Sequence, residues 1–416
     1  MNKNILVLLV LTALFINGCG GSRKVEEDTT PNLTAYFTDN VNNTVDVIDV
    51  DNMQLLHTLQ TGHQDTHSAD IVSSDATSTK MYVSNRSDDY IDVLESKTNE
   101  ITKSIVLNFH PRSIDTQKVT HLAEVASTNK AVAAVIDIDT DEVLATVGYP
   151  NITFTNKCGH PYWIDDKHFV FIDRENKKLY TYKIEQINGL WVTNELNVLD
   201  TPSPVHHILT PNVNGERNYN ATTFYAMAEG DANNFPAVLK LAFSASSGMS
   251  IVETLELKVA GLTASDMGGH HLNFLKDGKT LYAGSKEGHL FVVDYSTSPM
   301  TILKTIQVGK GAGHSIEMKD KNLAVVINHS DKFISLINTA TNEKITDIIV
   351  SELPDSDIGN VQIQAHTQYR FSDDGDYFYM ALTEEGAFIK VDLLTHEVTR
   401  VDLGGKLTMG SFVKTN

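Results

Sequence analysis

The feature that most constrains this chain is a short pattern that returns along its whole length: a loop, then a histidine, then an apolar strand. His67 stands four residues before Ile71, His110 before Ile114, His160 before Ile164, His270 before Phe274 and His314 before Met318. His206 opens Val205-His206-His207-Ile208-Leu209, and His366 opens a similar run one residue out of register. At the C-terminus Met409 stands four residues before Val413. The steps between successive copies are 43, 50, 46, 64, 44, 52 and 43 residues. A period in the forties built from short strands predicts a β-propeller, in which each repeat is one four-stranded blade.

The strands between the histidines support an all-β fold. Val45-Asp46-Val47-Ile48-Asp49, Leu290-Phe291-Val292-Val293-Asp294 and Phe388-Ile389-Lys390-Val391-Asp392 share a form, β-branched or aromatic with a closing Asp. Turns such as Lys276-Asp277-Gly278-Lys279 link strand to strand. No amphipathic helix is evident. Seven modules open with a histidine strand and continue with three more. Three strands near residues 35–60 and one near 407–414 are left over. Together they complete an eighth blade, closed by pairing the terminal strands, which removes the exposed edge of an open ring. Seven blades is the alternative. The propeller is expected to span 33–416 as a single domain.

The first strand of a propeller blade lines the central channel. A histidine opening each such strand therefore predicts a ring of His67, His110, His160, His206, His270, His314 and His366, with Met409 in the eighth place. Imidazole is the commonest metal ligand and a thioether a soft one. Zinc takes three or four ligands at about 2.0–2.1 Å, so a subset from neighbouring blades is expected to bind. Gly62-His63-Gln64-Asp65-Thr66-His67 offers His63 and Asp65 nearby, and Glu317 is a further acidic candidate. Side chains next to one another on a strand face opposite ways. His207 and His271 are therefore expected between blades or behind the ring. His57, His121, His168, His289, His329 and His396 read as surface residues. Histidines near their ordinary pKa of about 6.5 predict that zinc affinity falls between pH 7 and pH 5.5 as ligands take up protons.

The N-terminus reads as a targeting segment. Lys3, an apolar run from Ile5 to Phe15 and Ile16-Asn17-Gly18-Cys19 have the form of a bacterial lipoprotein signal, with residues 1–18 removed and Cys19 lipidated. Residues 19–32 read as a flexible tether. No Asp follows Cys19, which by likeness to Gram-negative lipoproteins places the anchor in the outer membrane, facing the periplasm. Cys158 is then a lone thiol in an oxidising compartment, beside His160, and is a candidate ligand. The formal charge of −20 argues against nucleic acid and against adhesion to anionic lipid. Membrane contact is expected through the lipid alone, and the chain is expected to be a monomer. Signatures of serine hydrolases, zincins, phosphate-binding loops and dinucleotide folds are missing from the sequence.

The repeated strands at Val45–Asp49 and Leu290–Asp294 resemble the large YVTN-type propeller group across most of residues 34–413. With the lipoprotein signal, the acidic chain and the seven ring histidines, the sequence resembles the AztD-type periplasmic zinc metallochaperones. That resemblance implies zinc held by histidines in the channel and passed to the solute-binding protein of a zinc ABC transporter, with no enzymatic turnover required. A second class is a metal-dependent oxidoreductase or lactonase-like enzyme using copper or zinc. Nitrous oxide reductase also gathers seven histidines in a propeller, but needs a cupredoxin domain with paired cysteines that this sequence is not expected to supply. A third is a metal-free protein-interaction scaffold.

Overall fold

A computed structural model describes residues 32–414 apart from 156–159, 214–215 and 367–368. The signal segment, Cys19, the tether and Cys158 lie outside the described residues. Within them the chain forms eight four-stranded antiparallel sheets. Each is one blade, and the eight-blade expectation holds. Blade 1 joins the outer three strands Leu33–Asp39, Thr44–Asp49 and Gln54–Gln60 to the C-terminal strand Leu407–Lys414. Leu33 pairs with Lys414 and Tyr36 with Ser411, so the terminal strands close the ring. Blades 2 to 8 follow as 66–106, 111–153, 160–200, 205–256, 269–307, 312–349 and 370–402. No helix among the described residues is long and apolar enough to cross a membrane.

The burial pattern explains the composition of the strands. Middle strands are covered on both faces by neighbouring blades, so they are apolar almost throughout; Thr223–Ala228 and Leu323–Asn328 are examples. Outermost strands face solvent, and Gln54–Gln60 is exposed along nearly its whole length. Core clusters therefore lie between blades: Val170 and Ile172 of blade 4 pack on Phe224, Ala226 and Leu239 of blade 5. Each fully buried aliphatic or aromatic side chain contributes about 1.5–3 kcal/mol. The closing Asp of the third strand is a turn device. Asp137 accepts hydrogen bonds from the Asp139 and Thr140 amides, and Asp392 from those of Leu394 and Thr395. An Asp side chain mimics the backbone in this way at a tight turn.

The inner strands are interrupted at the end where they enter the channel. In blade 5, Val205 pairs with Ala228 and Ile208 with Ala226, so His206-His207 forms a bulge of one extra residue. Blade 6 repeats this at His270-His271, between Gly269↔Ser285 and Leu272↔Ala283. Blade 7 repeats it at Gly313-His314, and the closing strand of blade 1 at Thr408-Met409. Blades 2 and 3 carry shorter irregularities at His67 and Arg112. A bulge bends the strand and re-aims its side chains. Here it turns two successive residues toward one centre.

Candidate metal centre

The bulges decide which histidines meet. His207 and His271 do not pack away from the ring, as strict strand alternation would have them. The His206 and His207 ring centroids lie 4.9 Å apart, and those of His270 and His271 4.5 Å. His207 also lies 4.6 Å from His271. Counted from the bulge, His314 is the counterpart of His207 and His271, and Gly313 fills the place of His206 and His270. The His271 and His314 ring centroids accordingly lie 3.5 Å apart, with the rings tilted. Gly313 is needed where it stands. A Cβ there would come within 2.6 Å of His270 Nδ1 and 3.0 Å of His329 Nε2. Gly313→Ala is expected to push these rings apart and lower metal affinity about tenfold, the order of a small overpacking cost of 1–3 kcal/mol. Chelator competition measures it.

One expected ring member stands elsewhere, and three nearby candidates are otherwise engaged. His110 precedes the inner strand Pro111–Gln117, and Pro111 pairs with Ser127 as Thr66 pairs with Asn85 in blade 2. The counterpart of His67 is therefore Arg112, two residues further on. The His110 side chain is 38% exposed and its Nε2 lies 3.6 Å from Asp89. His63 stacks on Tyr90 at 4.1 Å, with Nε2 3.5 Å from Asp92. Asp65 is engaged by Arg86, at 3.0 and 3.1 Å. Glu317 accepts from the Lys276 amide at the far end of its strand.

His329 was a surface residue on the sequence reading, and that is corrected: it is buried against the cluster. It lies 4.8 Å from both His270 and His366. It follows the second strand of blade 7, Leu323–Asn328. That strand runs antiparallel to the inner one, so its end and the start of the inner strand reach the channel together. The signal was in the sequence, at the ends of second strands rather than the starts of first ones. His168 is also buried, with Nδ1 2.8 Å from Asp165, but it serves its own blade.

His366 sits outside the regular strand Arg370–Phe371. It is held by the preceding residues: Ala365 donates to Ala381, and the Gln364 side chain donates to the Asp331 and Phe333 carbonyls. Its Nε2 lies 3.3 Å from His206 Nε2 and 3.1 Å from His271 Nε2. His206, His270, His271 and His366 can each offer one nitrogen with all four within 4.8 Å of one another. Their tautomers suit ligation. His206 Nδ1–H donates to Glu229 at 3.0 Å, which turns its Nε2 lone pair to the centre. His329 Nδ1–H donates to the Gln364 carbonyl at 3.1 Å in the same manner. A second group, His160, His206 and His207, shares His206 with the first. In it His160 is already engaged: Nε2 accepts from Arg112 at 2.8 Å and Nδ1 lies 3.2 Å from Ser113. His67 lines one cavity with His206, His270 and His366 without belonging to either group, and neither of its ring nitrogens has a partner. Met409 is buried beside it.

Burial is the first cause that lowers the pKa of these imidazoles, with neighbouring histidines and Arg174 or Arg112 adding to it. His207 falls to about 3 and His329 to about 4, where the Gln364 and Ala365 carbonyls partly offset the burial. His206, His270, His271 and His366 fall well below the ordinary value. Burial thus holds these imidazoles neutral below their ordinary pKa, which argues against the expected protonation of the ring between pH 7 and 5.5. The sign is that of a depressed group. Below pH 6.5 the unfolded chain binds protons that the folded chain does not, so stability present above 6.5 is lost as pH falls. Each such histidine removes about 1.4 kcal/mol per pH unit. Acid is thus expected to release metal together with the fold. Circular dichroism and metal release should change over one pH range; release with intact sheet signal above pH 5.5 would contradict this.

His270, His329 and His366 reach a broad cavity of about 670 Å3. A smaller chamber of about 160 Å3 is lined by Asp70, Asp115 and Arg217, with Asp70 pushed up to about 7 by burial.

The sequence matches no protein-family model and no curated protein. Solved structures match the fold. Dihydro-heme d1 dehydrogenase NirN is similar with a TM-score of 0.66 at 14% identity, over 92% of this chain and 75% of that one. Apo AztD from Citrobacter koseri is similar with a TM-score of 0.56 at 12% identity, over 92% and 98%. A periplasmic gluconolactonase from Pseudomonas aeruginosa is similar with a TM-score of 0.50 at 12% identity, over 77% and 97%. Such distant likenesses carry the propeller, and a propeller hosts many activities. What the chain itself adds is a knot of imidazoles, three from the bulged inner strands of blades 5 and 6 and one, His366, from the segment before the inner strand of blade 8.

Proposed function

We propose that the protein is a periplasmic zinc carrier that holds its cargo at the propeller axis with His206, His270, His271 and His366. The observation that carries this is the convergence of Nε2 atoms at 3.1 and 3.3 Å on His366. Zinc bound to nitrogen at 2.0–2.1 Å in a tetrahedron sets its ligand atoms about 3.3 Å apart. Two imidazole nitrogens this close otherwise compete for one proton. Orphaned nitrogens on His207, His270, His314 and His329 add to the surplus of donors. Glu229 behind His206 is the carboxylate partner that commonly fixes a metal-binding imidazole.

A carrier must also give its metal up. His270, His329 and His366 face the broad cavity, so a partner docked at that mouth reaches the ligands directly. In this reading, which follows the resemblance to AztD-type carriers, the partner is the solute-binding protein of a zinc ABC transporter. Cys19 is the anchor in this reading, and labelled palmitate should be incorporated by the wild type and not by Cys19→Ser. The handover is tested by mixing the zinc-loaded protein with the metal-free solute-binding protein. Transfer faster than spontaneous zinc dissociation supports the carrier reading, and transfer at the dissociation rate overturns it. Copper retained in place of zinc would favour redox chemistry on the same ligands.

A further inference from the structure

A second ring of residues lies where the second strands end. The residue after that strand is Arg86 in blade 2, Arg174 in blade 4, Glu229 in blade 5, Lys286 in blade 6 and His329 in blade 7. Three of these places carry a permanent cation. Together with Arg112 from the inner strand of blade 3, Arg86, Arg174 and Lys286 wall a cavity of about 210 Å3. Among the described residues no carboxylate lines it. The carboxylates that meet these cations stand behind them. Asp65 holds Arg86, while Glu229 holds Arg174 and lies 3.5 Å from Lys286. These four cations meet in one cavity of a chain whose net charge is −20.

One further group points to a ligand. His67 is 6% exposed, lines the same cavity, and has no partner at either ring nitrogen. A guanidinium presents paired N–H donors that match carboxylate and phosphate oxygens. We propose that this cavity binds a small oxyanion, a carboxylate or an inorganic phosphate, between Arg86, Arg112, Arg174 and Lys286. His206, His270 and His366 line it from the other side. The bound anion therefore lies next to the metal and can lend it an oxygen. This second step rests on the metal reading; the anion site does not.

Calorimetric titration of the metal-free full chain with malonate, and separately with inorganic phosphate, tests the site and tells the two sources apart. At least one probe should bind one per chain, and its affinity should fall with added salt. Lys286→Gln, at a half-exposed position, and Arg86→Gln should each weaken binding at least fivefold while circular dichroism is unchanged. Zinc should tighten the anion, and the anion should tighten zinc by the same factor. Failure of both probes to bind either the metal-free or the zinc-loaded protein at millimolar concentration would overturn the proposal, as would binding indifferent to both substitutions. Zinc retained without anion binding removes this inference and leaves the carrier reading. Anion bound by a protein that never retains zinc does the reverse.

Discussion

Replacing His366 with alanine is expected to lower zinc affinity about 100-fold. Structural zinc sites bind with about 10–16 kcal/mol, so one ligand of four carries about 3 kcal/mol, close to two decades in affinity. His366 is the ligand whose Nε2 approaches both His206 and His271. It lies before the short inner strand Arg370–Phe371 and outside its pairing, so the blade should fold without it. Chelator competition gives the affinity and circular dichroism the fold. A loss below threefold in a folded protein would remove His366 from the centre.

The second large effect is expected from Glu229→Gln. The Glu229 carboxylate accepts from His206 Nδ1 at 3.0 Å and from Arg174 Nε at 2.8 Å, and is almost wholly buried. The amide keeps the shape but can present an N–H to His206. The imidazole then has reason to turn its proton toward the metal. Loss of such a partner costs about 10–100-fold in metal affinity. Arg174 also loses the Glu229 charge, and weakening a buried ion pair destabilises the fold. The two roles separate on measurement. A positioning role lowers zinc affinity in the molecules that remain folded, whereas a merely structural role lowers the melting temperature and leaves affinity unchanged.

Much of this arrangement was legible in the sequence. The histidine period gave the blade count, and the unpaired strands at the two ends gave the closure between Leu33–Asp39 and Leu407–Lys414. These depend on patterning over whole repeats, which a single residue cannot disturb. The centre was harder because it depends on single residues. Strict alternation put His207 and His271 outside the ring, since a bulge inserts its extra residue without marking the sequence. The same slip aligned His314 with His270 in place of His271. In blade 3 the repeat was matched on Ile114, two residues out, so His110 was chosen and Arg112 missed. His329 lies outside the inner-strand repeat, at the end of a second strand, and such ends reach the same mouth. Burial then changed the acid chemistry: imidazoles expected to titrate near 6.5 are held neutral well below it.

Zinc K-edge X-ray absorption of the zinc-loaded, tag-free protein tests the central claim most directly. The account predicts about one zinc per chain with only nitrogen donors near 2.0 Å and the multiple scattering of imidazole rings. The signal should disappear in the folded His206→Ala, His271→Ala, His366→Ala triple variant. A sulfur neighbour at about 2.3 Å, which would bring in Cys158, would contradict it. So would the absence of stoichiometric zinc, or a spectrum that the triple variant leaves intact.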